Sequence, residues 1–322
     1  MMIGNSTRQN TDDLILAKKA RGVNELSPFA NSIWHVVLIL GCLASVVPLW
    51  LVIAASFTQE QALVKYGYGF WPKDFSVSAY TFLLRSGGGS ILTAYKNTIV
   101  ATLSGTFLCV VSVGLYAYPL SRPDFKLRSF FTFFAFFSML FNAGTVAYYM
   151  LGAQILHINN TLWALFLPMS FSAYWVIIMR TFYRTNIPDA VIESARIDGA
   201  GEWRTLTKIV LRLAIPGLAT VGLFAAVGIW NNYFNCLLFV NDRKYYNLQY
   251  TIAEILKSIQ FLKEMASASG AASAASSMSI GDMPSESFRM AMAVVVMGPI
   301  VLAYPFFQKY FVKGLTIGAV KG

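Results

Sequence analysis

The sequence has few charged residues. Of its 322 residues, 12% are charged and 56% are hydrophobic, whereas a soluble globular domain carries roughly 25% charged residues. A helix needs about 20 consecutive apolar residues to cross a bilayer, and several such runs are present. The composition therefore excludes an ordinary soluble domain and predicts an all-α integral membrane protein.

Residues that bind metals or carry out catalysis are also scarce. The cysteines Cys42, Cys109 and Cys236 fall within apolar runs without ligand spacing, and the two histidines stand apart. A metal site needs a convergent ligand set, and no Gly-x-x-x-x-Gly-Lys-Ser/Thr phosphate loop occurs. We therefore expect small buried cysteines, no metal, no cofactor on this chain and no catalytic residues.

The net charge of +10 reflects membrane topology rather than nucleic-acid binding, because the charges flank the apolar runs. Six spans are predicted, at about 33–57, 97–120, 130–155, 162–179, 213–240 and 290–311. With a cytoplasmic N-terminus, sixteen of the 25 Lys and Arg residues lie inside. The positive-inside rule then places both termini, 1–32 and the tail 312–322, in the cytoplasm.

The predicted outer loop, 241–288, contains a stretch of small residues at 266–279. Such a composition is typical of a flexible linker. It would also suit a slender probe that enters a cleft in an external partner. The residues alone leave both interpretations open.

The most informative segment is the charged cytoplasmic loop 181–212. Pro188 and Asp189 are residues that favour a helix start, and Gly199 permits the turn that ends a helix. We expect a short helix at about 188–198, a glycine elbow and a second helix at about 202–213. On pattern alone, this amphipathic unit could rest on lipid headgroups or dock a protein.

The order of residues in this loop resembles the EAA loop of ABC importer permeases: Glu193-Ser194-Ala195-x-x-Asp198-Gly199-Ala200. Further similarity covers residue 33 to the end. It includes Trp163-Ala164-Leu165, Trp230-Asn231-Asn232-Tyr233-Phe234 and the ending from Tyr304 to Gly322. These stretches are similar to maltose-type carbohydrate permeases, especially the branch for larger sugars that includes alginate- or pectin-type polysaccharide importers.

The resemblance implies a type I ABC importer permease with a six-helix domain at 33–322 and a coupling helix that docks into an ATPase. The residues that match the coupling unit are Ile192, Glu193, Ser194, Ala195, Asp198, Gly199, Ala200 and Trp203. The tail residues implied to reach the ATPase are Gly318, Lys321 and Gly322.

The implied partners are a second permease chain in a heterodimer, two ATPase subunits that hold ATP and Mg, and an extracytoplasmic solute-binding protein. The implied location is the bacterial cytoplasmic (inner) membrane. The chain itself would be a non-enzymatic permease.

Two positions depart from the family pattern. Ser194 stands where Ala is usual, which keeps the side chain small. Arg212 stands where Pro is usual, four residues before Pro216. Because proline kinks a helix, we expect its loss to let the second helix run straight into span five.

Polar residues inside spans are costly in lipid, so they tend to face a cavity or a helix interface. The candidates for a sugar path are Trp230, Asn231, Asn232, Tyr233, Asn235, Asn142, Tyr148 and Tyr149. Hydrogen bonding between helices is an equal alternative for each residue. Asn231 and Asn235 are four residues apart, which predicts one shared helix face.

A stand-alone secondary carrier or channel is the alternative function. Ion-driven carriers have ionisable residues or broken helices in mid-membrane. The predicted spans hold almost no charge, which favours a permease driven by a partner.

Overall fold

The computed structural model describes residues 28–141, 143–268 and 286–319, and these residues are almost entirely helical. The helices are α1 (Pro28–Ser56), α2 (Glu60–Tyr66), α3 (Ser78–Ser121), α4 (Arg128–Leu140), α5 (Gly144–Met150, continued by a π-helical turn Leu151–Ile155), α6 (Trp163–Phe166, continued by a 3-10 turn Leu167–Met169), α7 (Ala173–Asn186), α8 (Asp189–Ile197), α9 (Glu202–Thr205, continued by Leu206–Val210 and Leu211–Leu213), α10 (Ile215–Trp230), α11 (Phe234–Phe239), α12 (Leu248–Ala268) and α13 (Glu286–Ala319). Strand pairing in the described ranges is limited to a bridge between Thr58 and Phe75.

Three continuous helices are long and apolar enough to cross a membrane: Phe29–Ser56, Gly89–Ser121 and Glu286–Pro305. Three bent pairs pass the same test together: α4 with α5 and its π turn, at 116°; α6 and its 3-10 turn with α7, at 48°; and α9 with α10, at 76°. If each pair crosses once, the predicted six spans result. Spans three to five are therefore broken rather than straight.

The segments predicted between the spans contain helices that the sequence analysis did not identify. The polar stretch at 58–95 contains α2 and the first turns of α3. The predicted loop 241–288 contains the 21-residue α12. Asn247 starts this helix by accepting a hydrogen bond from the Tyr250 N–H at 3.0 Å, as an N-cap does.

The expectation of a straight run from the second loop helix into span five was also wrong. The chain bends by 76° between α9 and α10, although Arg212 is not a proline. Pro216 is sufficient, because it has no N–H to donate to the Arg212 carbonyl and its ring crowds that carbonyl. Ala214 takes up the bend at φ −90° and ψ 4°.

Span five is interrupted a second time, at residues 231–233. The Asn231 side chain donates to the Val227 carbonyl at 3.0 Å, and the Asn232 side chain accepts from the Asn235 N–H at 2.9 Å. Asparagine side chains that bond the local backbone compete with helix hydrogen bonds. Asn231 and Asn235 therefore do not share one helix face, contrary to the prediction.

The tail predicted at 312–322 lies partly on α13, which extends as helix to Ala319. Cys109 and Cys236 are buried as expected, but Cys42 is exposed on α1, whose most apolar stretch contains no buried residue.

The core lies between α3, α7 and α10, with α13 packed on α1 and α10. Its fully buried side chains on the side of the charged loop include Val113, Tyr183 and Val210. On the opposite side, Glu60 of α2 accepts the N–H groups of Glu286 and Ser287 at 3.0 and 2.9 Å. A carboxylate at this position stabilises the start of α13.

Gly105 marks a very close helix approach, because a Cβ there would lie 2.6 Å from Ile229 Cδ1 and 2.7 Å from Phe166 Cβ. We expect Gly105→Ala to lower the unfolding temperature, since overpacking costs about 1–3 kcal/mol and alanine gains only about 1 kcal/mol in a helix. Thermal unfolding in detergent measures the change. Gly228→Ala is the control, because its Cβ would meet only Met169 Cε at 3.6 Å. Equal unfolding temperatures for the two variants would contradict the packing argument.

Candidate functional site

The short helix predicted in the charged loop is present as α8, one residue shorter than expected at each end. Pro188 is its N-cap and Asp198 its C-cap. The Ala200 N–H bonds the Ala195 carbonyl at 2.9 Å, and the Gly199 N–H bonds the Arg196 carbonyl at 3.0 Å. This pair of bonds is a Schellman motif, and Gly199 supplies its left-handed residue at φ +76°.

One face of α8 is anchored in the core. Ile192 and Ala195 are 3% and 5% exposed, and Ile192 belongs to the cluster that contains Leu206, Val210 and Tyr183. Burying an aliphatic side chain of this size contributes about 1.5–3 kcal/mol. α8 is therefore fixed to the membrane helices rather than attached by its ends alone.

The other face of the loop is uncovered. Glu193, Ser194, Asp198 and Gly199 are exposed, and Ile197 and Trp203 are 86% and 68% exposed. The Ser194 hydroxyl donates to the Val191 carbonyl at 3.0 Å. The serine that replaces the usual alanine therefore has its own hydrogen bond within α8. Glu193 forms no ion pair within the described part of the chain.

Ion pairs join the loop to the short turn between α3 and α4. Arg196 contacts Asp124 at 2.5 Å and Glu202 at 3.0 Å, and Arg122 contacts Asp189 at 3.4 Å. Exposed pairs are individually weak, but Arg196 connects three segments at once. α8, the start of α9 and the 121–127 turn therefore form one unit.

Glu202 is tied to the membrane helices as well as to Arg196. The buried Tyr118 hydroxyl donates to Glu202 Oε2 at 2.8 Å. This hydrogen bond, together with Arg196, lowers the pKa of the Glu202 carboxyl, while partial burial opposes the shift. A lowered folded-state pKa means that this contribution to stability is present at neutral pH and is lost as the pH falls through that pKa.

Two functional candidates of this loop, Arg196 and Ile197, were not predicted from the sequence. Arg196 was a plain surface charge in the sequence, since its partner Asp124 lies 72 residues away. Ile197 did carry a signal: it is an apolar residue outside the face formed by Ile192 and Ala195. Two large apolar residues exposed on one loop, Ile197 and Trp203, are typical of an interaction surface.

Several candidates for the sugar path are used in packing. Trp230 is 6% exposed and donates to the Val296 carbonyl at 3.2 Å. Asn235 is 2% exposed and accepts from the Tyr148 hydroxyl at 2.8 Å. The Asn232 side-chain oxygen accepts a hydrogen bond from the Asn235 N–H. The contacts of Trp230 and Asn235 support the alternative of hydrogen bonding between helices, whereas the Asn232 bond is local to the chain.

The remaining candidates are accessible. Asn231 is exposed and accepts from Gln249 at 3.2 Å. Tyr233 and Tyr149 are 50% and 41% exposed, and Tyr149 stacks on Phe239 with 5.8 Å between ring centroids. These accessible amide and aromatic groups are of the kinds that provide the hydrogen bonds and apolar surface that a sugar ring requires.

Some predicted positions lie outside the described residues. These are Asn142 of the sugar path, Lys321 and Gly322 of the tail, and residues 269–279 of the small-residue stretch. Gly318 lies on α13. Among the described residues, no group of three or more His, Cys, Asp or Glu side chains could hold a metal.

We expect Arg196→Gln to loosen the loop without unfolding the membrane helices, because it removes both contacts of Arg196 while leaving Ile192 buried. Hydrogen–deuterium exchange should rise several-fold in residues 121–127 and 189–205 and stay unchanged in α10. Arg204→Gln removes an exposed charge without a described ion pair and is the control. Unchanged exchange in both segments would show that Arg196 does not connect them.

The family described as "Binding-protein-dependent transport system inner membrane component" matches residues 110–317. The chain is 33% identical to Protein LplC of Bacillus subtilis, over 86% of this chain and 90% of that protein. It is 35% identical to the polygalacturonan/rhamnogalacturonan transport system permease protein YtcP of Bacillus subtilis, over 88% and 96%.

Among solved structures, a chain of a bacterial ABC transporter involved in the import of the acidic polysaccharide alginate superposes with a TM-score of 0.71. The two chains are 28% identical, and the match covers 87% of this chain and 96% of that one. The similarity therefore extends over nearly the whole fold. This chain belongs to the family of binding-protein-dependent transport system inner membrane components.

Proposed function

We propose that this chain is the permease subunit of an ATP-driven ABC importer that moves an oligo- or polysaccharide into the cytoplasm. Relatives named for polygalacturonan/rhamnogalacturonan transport and for alginate import support a large, sugar-based substrate. The chain would contribute half of the path, and a second permease chain would contribute the other half.

The observation that carries the proposal is the anchored loop with one uncovered face. Ile192 and Ala195 fix α8 to the membrane helices, while Ile197 and Trp203 are exposed. A partner that binds the uncovered face would move α8 together with the membrane helices to which α8 is packed. We propose that this face, with Glu193 and the Gly199 elbow, docks the ATPase.

The energy source would lie on two partner ATPase subunits, which bind ATP and Mg. The sequence lacks a phosphate loop, in agreement with a chain that transmits the work of nucleotide binding. Residues Gly318, Lys321 and Gly322 at the end of the chain are a second proposed ATPase contact.

We further propose that both termini are cytoplasmic, as the distribution of basic residues supports. The loop and the 121–127 turn would then share the cytoplasmic side. α12 would lie outside, where an extracytoplasmic solute-binding protein delivers the sugar. Residues 266–279 would reach toward that protein or serve as a linker.

The rival, a stand-alone carrier or channel, gives no role to an exposed tryptophan and isoleucine on an anchored loop. The family assignment also favours partner-driven transport. Reconstitution of this chain alone, without an ATPase, separates the two functions, because only the rival expects uptake.

We expect Gly199→Val to leave the protein in the membrane but to uncouple transport from ATP hydrolysis. The strain at φ +76° costs about 1–3 kcal/mol, and no neighbouring atom would meet the added Cβ. In the purified complex, stimulation of ATP hydrolysis by the loaded binding protein should fall several-fold, together with sugar uptake in vesicles.

Gly201→Val is the matched control, because Gly201 has φ −69° and equally open surroundings. It should retain stimulation and uptake close to those of the unmodified complex. If Gly199→Val also retained both activities, the elbow would have no part in coupling.

We expect Asn231→Ala and Tyr149→Ala to reduce sugar uptake several-fold while the complex assembles normally, since both side chains are accessible. Asn235→Ala serves as the comparison, because it removes a buried bond to Tyr148 and should lower thermal stability and the yield of complex. Uptake and assembly are measured for all three variants. Loss of assembly in Asn231→Ala and Tyr149→Ala would assign those residues to packing.

A further inference from the structure

A second polar site lies on the loop side of the molecule, away from the uncovered face of α8. It is a cavity of about 380 Å³ between the start of α4 and the end of α7. Arg128, Arg180 and Arg184 line it together with Thr132. Asp124 in the preceding turn is bound to Arg196 of the loop, which places the cavity at the same membrane boundary as the loop.

The positive charges of this cavity are not neutralised within the described residues. Its lining contains no Asp or Glu side chain, and none of the three arginines forms an ion pair with a described residue. Arg180 shares the cavity with two like charges, those of Arg128 and Arg184. Like charges held together in this way cost free energy unless an anion binds between them.

A hydroxyl group in the wall of the cavity has no partner among the described residues, although its oxygen is closed off from the cavity space. Thr132 Oγ1 is buried and makes no hydrogen bond with any described residue. An unmet buried hydroxyl costs about 1–3 kcal/mol. Arg180 is held in place by its own bond from Nε to the Leu120 carbonyl at 3.0 Å, which leaves its terminal nitrogens to donate elsewhere.

The apolar wall of the cavity points to the source of the anion. Phe133 and Phe136 line the same cavity and are 66% and 48% exposed on α4, an apolar helix of a candidate span. A phosphate group between arginines with hydrocarbon below it is the arrangement of a phospholipid at a membrane interface. Basic pockets between spans on the cytoplasmic side bind anionic headgroups.

We propose that this cavity binds the phosphate of an anionic phospholipid in the cytoplasmic leaflet. Arg128, Arg180 and Arg184 contact the phosphate, and the acyl chains lie along Phe133 and Phe136. The assignment to the cytoplasmic leaflet rests on the proposed orientation of the chain, whereas the binding of the lipid does not depend on that orientation. The lipid would fix α4 against α7, the helix that leads directly into the loop.

The test is native mass spectrometry of the complex purified with its partner subunits, with dioleoyl phosphatidylglycerol or dioleoyl phosphatidylcholine added. We expect selective retention of phosphatidylglycerol. Arg128→Gln with Arg184→Gln should reduce that retention about tenfold or more, because each interfacial basic residue contributes to anionic lipid binding. This variant spares the bond between Arg180 and Leu120.

Arg204→Gln with Lys208→Gln is the matched control, because it removes the same charge from exposed positions on the same side and should retain phosphatidylglycerol fully. Equal retention by the cavity variant and the unmodified complex, or equal retention of both lipids, would overturn the proposal. Inorganic phosphate at the same concentration should leave the lipid bound. If inorganic phosphate displaced the lipid, the cavity would be a site for free anions, and the proposal would be overturned too. None of these readouts requires transport, so a failure here is distinct from a failure of the proposed function.

Discussion

The two contacts of Arg196, with Asp124 and Glu202, are the constraint on which the site depends. They join the turn after α3, the end of α8 and the start of α9, so that α8 cannot tilt without moving the membrane helices. Tyr118 extends the connection by bonding Glu202 from inside α3. Each exposed pair alone is worth little. Their effect comes from holding together segments that the buried Ile192 and Ala195 have already brought close.

This arrangement suits the proposed role of the loop in transmitting motion from a partner. Its inner face is part of the core, and its outer face carries Ile197 and Trp203 without a cover. Spans four and five are broken, at 48° and 76°. Packed helices with breaks can shift as discrete pieces rather than bend continuously. An ATPase bound to the outer face would therefore act on α7 and α10 through contacts that are already rigid.

Much of this was predictable from the sequence, and the failures have identifiable causes. Pro188, Gly199 and the spacing of Ile192 and Ala195 are local signals, and they located α8 to within one residue at each end. α12 was not predicted because its many polar residues suggested a loop. Its apolar residues nevertheless recur at helical spacing, at Leu248, Ile252, Leu256 and Ile259. The bend after α9 was misjudged because Arg212 replaces a proline, whereas Pro216 alone prevents a continuous helix.

The sequence by itself determined the class of protein, the apolar spans and the loop motif, because composition and short-range spacing are properties of neighbouring residues. Tertiary structure decided which polar residues are buried and which are accessible. Asn235 and Tyr148 pair with each other across 87 residues, whereas Asn231 and Tyr149 stay accessible. It also brought together Arg128, Arg180 and Arg184 around one cavity. Burial and partners at such separations depend on how the helices pack, and no local pattern encodes that.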